Sequence, residues 1–265
     1  MVCELFAMSS RVETTVSFSL HEFSQHGGKI DAHSDGWGLA VYDGQTAQVH
    51  REASAAAFSQ KMHYLNTHQQ PTRCVISHIR RATVGERALR NTQPFVRDIK
   101  GHSHVFAHNG DLPAIENKTI LNSCRLEGET DSERAFCYLI SALTTLWHTE
   151  IPTLKTRVGL VEKAFNELAE LGIANFLYAD GDYLYVFSNK RHQANGRVEP
   201  PGMYFLEREC HCDQGALKRA GVDIPCAPQQ VLLFASVPLT GESWQPLHPC
   251  QLLAAKDGEI LYRTP

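Results

Sequence analysis

The alternation of apolar and polar positions along the chain predicts short strands in antiparallel pairs, with helices grouped in twos. Apolar residues from Met1 to Phe6 open the chain, and Val16, Phe18, Leu20 and Phe23 then allow a helix ending at Gly27-Gly28. Leu39-Ala40-Val41-Tyr42 before Asp43-Gly44 reads as a strand entering a hairpin, and residues 54–68 as an alanine-containing helix. Arg73 to Ile79 alternates as a strand does. Val105-Phe106-Ala107-His108 is a strand that meets Asn109-Gly110, a hairpin-turn dipeptide whose amide and N–H could equally serve as two oxyanion donors. From Thr130 or Asp131, a capped helix carries Ala135, Phe136, Leu139, Ile140, Leu143 and Leu146 at helical spacing. A second amphipathic helix covers 153–171 and stops at Gly172, and a hairpin then crosses Asp180-Gly181-Asp182. Further strands are expected at 202–207, 231–236 and 258–262. Hairpins and paired helices favour a layered α+β fold over a doubly wound parallel sheet, and no linker or repeat divides residues 1–265.

Composition narrows the classes. A net charge of −4 lacks the basic footprint of a nucleic-acid or membrane-surface protein. No apolar run approaches the roughly 20 residues of a membrane helix, and no export signal opens the chain. A cytoplasmic protein with eight reduced cysteines is therefore expected. Cys210-His211-Cys212, with Cys226, His248 and Cys250, invites a zinc reading. Its spacing departs from that of structural zinc sites, so scattered thiols are expected and no metal or other cofactor. His102 and His104 share one strand face without a third ligand and are read as structural.

The candidate chemistry begins at Cys3. It is either a half-buried thiol in an opening strand or a nucleophile whose own α-amine, freed by processing, acts as base. Such an amine has a pKa of about 7.7–8.0, close to working pH. Arg80 and Arg81 at a strand end could form a solvated basic loop or meet a carboxylate with a planar guanidinium fork. The glycines flanking Trp37 suggest close backbone approach.

Taken in order, Cys3, Asp35-Gly36-Trp37-Gly38, His78-Ile79-Arg80-Arg81-Ala82-Thr83, His108-Asn109-Gly110 and Gly128-Glu129-Thr130-Asp131-Ser132-Glu133 resemble the class II glutamine amidotransferases, which are N-terminal-nucleophile hydrolases. The resemblance is nearest to the small stand-alone members. It extends to Ala174-Asn175-Phe176-Leu177 and Ala235-Ser236-Val237-Pro238, and so covers nearly the whole chain as a single domain, 1–265. It implies a four-layer αββα sandwich and hydrolysis of the γ-carboxamide of glutamine through a thioester at Cys3, with release of ammonia. Asn109 and Gly110 would hold the oxyanion, Arg80 the substrate α-carboxylate and Asp131 its α-ammonium, with Thr83 and Trp37 lining the site. A separate synthase or partner subunit would use the ammonia. Because Arg80 and Asp131 would read only the glutamyl end, γ-glutamyl peptides are a second substrate class.

One position departs from the family pattern. The family nucleophile directly follows the initiator Met, whereas Val2 intervenes here. An amide nitrogen on Cys3 is no base. Val2 is then a residue left by cloning, part of a two-residue propeptide, or the mark of a non-catalytic glutamine- or glutamate-binding relative.

Overall fold

In the computed structural model, residues 3–264 are described apart from 16, 31–32, 69, 83–84, 121–123, 149 and 211–228. Met1, Val2, Thr83, His211, Cys212 and Cys226 thus lie outside the described residues. The elements in chain order are β1 (Glu4–Thr14), α1 (Ser17–Gln25), β2 (Gly36–Asp43), β3 (Thr46–Glu52), α2 (Gln60–Thr67), β4 (Thr72–Arg80), β5 (Phe95–Ile99) and β6 (His102–Asp111). There follow α3 (Asp131–Leu146), α4 (Leu154–Ala169), β7 (Ile173–Ala179), β8 (Leu184–Ser188), β9 (Arg191–His192) and β10 (Val198–Glu199). The chain continues through β11 (Tyr204–Cys210), β12 (Gln229–Ala235), β13 (Gln245–Pro246), β14 (Gln251–Lys256) and β15 (Glu259–Arg263).

Two antiparallel sheets carry the fold. One has seven strands in the order β13-β11-β12-β1-β4-β2-β3, the other six in the order β15-β14-β8-β7-β6-β5. Three hydrophobic cores separate four layers. Leu5, Ala7, Ile76, Val105, Ala107, Leu177 and Phe234 fill the space between the sheets. Phe6, Phe23, Trp37, Met62 and Ile79 pack the seven-stranded sheet under α1 and α2. Phe106, Phe136, Leu139, Phe165 and Phe176 seal the six-stranded sheet under α3 and α4. Burial of each such side chain stabilises the fold by roughly 1.5–3 kcal/mol. This is the αββα sandwich that the resemblance implied. Among the described residues, no helix is long and apolar enough to cross a membrane.

Local chemistry explains the helix that matters most for the site. The Thr130 hydroxyl accepts from Glu133 N at 3.2 Å, and the Glu133 carboxylate turns back to take Glu127 N at 2.9 Å and Gly128 N at 2.7 Å. This cap fixes where α3 starts, and therefore where Asp131 stands.

Three expectations are corrected. Asn109-Gly110 is not a turn: β6 runs on to Asp111, with Asn109 opposite Asn175 and Gly110 opposite Ala174 on β7. Pairing with a distant strand overrides the local turn preference. Gly110 serves close packing instead, since a Cβ there would lie 1.7 Å from Ile173 O. The expected helix at 54–68 is broken at Ser59, whose backbone is extended and whose hydroxyl caps Met62 N. Finally, Cys124 and Cys137 form a disulfide, so not every thiol is reduced; α3 carries Cys137 to a Cα–Cα distance of 5.2 Å from Cys124.

Candidate functional site

Strand alternation aims the candidate residues at one another. On β1, Leu5 and Ala7 face the inter-sheet core while Phe6 and Met8 face the helices. Cys3, two residues before Leu5, therefore belongs to the inter-sheet side. On β4, Ile76 faces the same layer, and so do His78 and Arg80. The register Glu4↔Ile79 puts Cys3 beside Arg80. From the other sheet, Val105 and Ala107 bring Asn109 to the same layer, and Leu177 brings Asn175. The polar residues thus collect at the end of the sandwich where β1 begins and β4 ends.

Cys3 is half-buried. Its thiol donates to Arg81 O and accepts from Arg81 N, both at 3.3 Å, so Arg81 acts here through its backbone. Burial pushes the Cys3 thiol up to about 11; the Arg81 backbone contact and the Arg80 charge oppose this, and the Asp131 charge adds to it. A thiol in that state needs a base before it can attack.

Asn109 reaches across from the second sheet, and its Nδ2 donates to the Cys3 carbonyl oxygen. Its Oδ1 is buried and accepts no hydrogen bond among the described residues. A carboxamide nitrogen carries two hydrogens, so this contact uses one. The backbone around Asn109 is braced on both sides. Gln93 Oε1 accepts from His108 N at 2.5 Å and Gln93 Nε2 donates to His108 O at 3.2 Å. Asn175 Nδ2 donates to Asn109 O at 3.0 Å. In an antiparallel strand, alternate residues direct their backbone groups to the same neighbour. The Gly110 N–H therefore points to the same side as that of His108, past the point where β5 and Gln93 end.

Arg80 is buried, with 3% of its surface exposed. Its guanidinium donates to Gly85 O and to Glu86 O at 3.2 Å each, so its charge is held in place rather than waving in solvent. Asp131 is half-buried: Oδ2 accepts Leu112 N and Oδ1 accepts Ser132 N, both at 2.8 Å. Trp37 is fully buried in the helix-side core and donates its indole N–H to Glu52 Oε2 at 3.2 Å. With no exposed surface, it supports the site from behind instead of lining it.

Sequence reasoning did not single out Asn91 and Gln93, which lie in Asn91-Thr92-Gln93-Pro94-Phe95, a stretch of turn-like composition, or the positioning contacts of Asn175. Asn175 stands in a segment the resemblance covers and interrupts the apolar strand Ile173–Ala179, but neither signal names its partners. His78 was also left out of the site. Among the described residues its buried ring nitrogens have no hydrogen-bond partner, and burial, then the Arg80 charge, pushes it down to about 3, which favours the neutral ring. A cavity of about 450 Å³ opens elsewhere, at the opposite end of the sandwich, lined by Tyr42, Arg73, Cys74, Asp182 and Lys256. Burial raises its one thiol, Cys74, to about 12, and Arg73 is already paired with Asp257. The polar side chains that converge from both sheets do so around Cys3 instead.

Comparison with known proteins gives the family and the fold. Residues 2–265 match the family profile of the class II glutamine amidotransferases. The Escherichia coli K12 protein named "Putative glutamine amidotransferase YafJ" is 30% identical over 254 residues, covering 94% of this chain and 95% of the relative. A crystal structure titled as a predicted glutamine amidotransferase from Pseudomonas aeruginosa PA01 superposes with a TM-score of 0.67 at 27% identity, covering 98% of this chain and all of that one. The glutamine phosphoribosylpyrophosphate amidotransferase of B. subtilis shares the fold at 17% identity and a TM-score of 0.60; this chain spans 49% of its length.

Proposed function

Because the chain belongs to the class II glutamine amidotransferases, we propose that it hydrolyses the γ-carboxamide of glutamine through a thioester at Cys3. The observation that carries this reading is the meeting of Cys3 with the Asn109 carboxamide at the sandwich end. With Cys3 first in the chain, its neutral α-amine takes the thiol proton and sulfur attacks the amide carbon. The developing oxyanion is received by the second N–H of Asn109 Nδ2 and by Gly110 N–H, each donor worth about 2.7–4 kcal/mol. Collapse breaks the C–N bond, and the ammonium proton passes to departing ammonia. Water, deprotonated by the same amine, then opens the thioester to give glutamate and the free thiol. Arg80 pairs with the substrate α-carboxylate and Asp131 with its α-ammonium. The domain acts as one unit over 1–265, and the ammonia serves a separate synthase or partner subunit.

Two forms of the protein test this. One begins at Cys3; the other retains Met1 and Val2, as verified by intact mass. Free glutamate should appear from glutamine only with the first. A second substrate class, γ-glutamyl peptides, is favoured by the fact that the Arg80–Asp131 pair reads only the glutamyl end. Assay with a γ-glutamyl dipeptide separates the two. A Cys3-first form inert to both substrates, yet binding glutamate, would establish instead the non-catalytic binding relative that Val2 suggests.

A further inference from the structure

We propose that the stretch Asn91–Gln93 is a positioning element with two separable duties: Asn91 sets the distance between the two halves of the substrate clamp, and Gln93 sets the oxyanion strand. The proposal rests on the functional reading above and deepens it.

Asn91 is buried between two loops. Its Nδ2 donates to Glu86 O at 3.0 Å, the same carbonyl that receives Arg80 Nη1. The same nitrogen donates to Glu129 Oε2 at 2.9 Å, and Asn91 Oδ1 accepts Glu129 N at 2.9 Å. Glu129 lies two residues before Asp131. One carboxamide thus joins the loop that holds Arg80 to the segment that leads into Asp131. Glycines on both sides admit this close approach: a Cβ at Gly128 would lie 2.3 Å from Asn91 Oδ1, and one at Gly85 2.9 Å from Nδ2. A free amino acid presents both charges at one end, so its recognition depends on the Arg80–Asp131 spacing that Asn91 ties.

Two residues on, Gln93 has a different client. Its carboxamide takes both backbone groups of His108 as a strand would, which extends the β5–β6 ladder by one step and stops short of Gly110. That bracing holds Asn109 against Cys3. Its backbone is itself fixed, since a Cβ on Gly38 would lie 2.2 Å from Gln93 O. Thr92 between them is anchored by Arg51 Nη1 on its carbonyl at 3.0 Å. Asn91 therefore acts on ground-state recognition and Gln93 on the transition state.

The test uses the Cys3-first protein with Asn91→Ala and Gln93→Met, the latter close in volume but without the paired hydrogen bonds. Asn91→Ser replaces the first variant if it fails to fold. Calorimetric titration with glutamate counts competent molecules, so kcat is read per working site. Asn91→Ala should raise KM for glutamine and weaken glutamate binding about tenfold or more, with kcat changed much less. Gln93→Met should lower kcat roughly ten- to a hundredfold, as expected for sub-ångström misplacement of a reacting group, with glutamate affinity nearly intact. The same kinetic signature in both variants, or wild-type constants in either, overturns the proposal. Wild-type protein inert to glutamine would refute the functional reading alone. Crystal structures of the variants then decide: the proposal fails if Asn109 still bonds the Cys3 carbonyl in Gln93→Met and the Arg80–Asp131 spacing is unchanged in Asn91→Ala.

Discussion

Freeing the Cys3 amine should change the thiol far more than it changes the fold. With its nitrogen in an amide, the Cys3 thiol stands at about 11, chiefly through burial. At pH 7.5 that leaves roughly three thiolates in ten thousand. A free α-ammonium lies within about 4 Å of its own sulfur. At an effective dielectric near 20, that attraction is worth about 4 kcal/mol, or roughly three pKa units. The thiol is thereby pulled down toward working pH. The lower-pKa thiolate is a weaker nucleophile, with a Brønsted coefficient of about 0.4–0.5, so a thousandfold gain in thiolate becomes a rate gain of roughly 30- to 60-fold.

Alkylation by iodoacetamide reads this directly. Its rate at Cys3, followed by peptide mass spectrometry from pH 6 to 10, should level off within that range in the form beginning at Cys3. In the form retaining Met1 and Val2, the rate should still be climbing at pH 10. Cys74 is an internal reference in both samples, because burial raises it to about 12 whichever way the chain starts. Superimposable Cys3 profiles in the two forms would refute the reasoning, and with it the amine as base.

Other outcomes follow from the same geometry. Arg80→Ala should raise KM for glutamine sharply with a smaller effect on kcat, since an unpaired desolvated charge costs about 2–5 kcal/mol; Arg81→Ala, which leaves the backbone contacts to Cys3 in place, should be close to wild type in steady-state kinetics. Asn109→Ala should lower kcat by about 10²–10³ at little cost in KM, measured as glutamate release. Acid should destabilise the fold before carboxylates titrate. His78 and His104 stand at about 3 in the fold, each mainly through burial, so between there and the unfolded value near 6.5 the unfolded state binds more protons. Stability should fall as pH drops from about 6.5 toward 3, by up to about 1.4 kcal/mol per pH unit for each histidine; a denaturant midpoint that stays flat from pH 7 to 5 would contradict this.

What could be read from the chain alone follows the range of the interaction concerned. Helical spacing from Ala135 to Leu143 and alternation from Ile173 to Ala179 are local, and both elements form as expected. The proposed site residues Cys3, Arg80, Asn109 and Asp131 could be named because each sits in a short motif whose order is recognisable. Their supports could not. Gln93 finds His108 15 residues away, Asn91 finds Glu129 38 away, and Asn175 finds Asn109 66 away. A side-chain amide beside a proline reads as turn chemistry until the partner strand is placed. The same blindness turned Asn109-Gly110 into a hairpin, because the strand that keeps β6 extended arrives more than sixty residues later. Pairing of Cys124 with Cys137, only 13 residues apart, was missed for another reason: with no export signal in view, reduced thiols were expected.

The proposed site falls at a sandwich end because only there do the two requirements of that chemistry coincide. Side chains must enter from both sheets, which the inter-sheet layer provides: Cys3 and Arg80 from one, Asn109 and Asn175 from the other. An oxyanion also needs a backbone N–H that no strand has claimed, and such groups occur where pairing stops. On β6 that point is Gly110, beyond the reach of β5 and of Gln93. On β1 it is Cys3, one residue before the ladder begins at Glu4. A cysteine placed farther along β1, at Leu5 or Ala7, would face the same layer, but its nitrogen would be a mid-strand amide and no base, at Leu5 one that donates to Ser236 Oγ. A shift of β1 by one residue would turn Cys3 toward the helices and bring Glu4 into the inter-sheet layer. Register is held against that slip by Leu5 and Ala7 in one core, Phe6 and Met8 in the other, and Ser236 Oγ accepting Leu5 N at 3.1 Å. The apolar alternation immediately after Cys3 thus does two jobs at once: it builds both cores, and it aims the thiol.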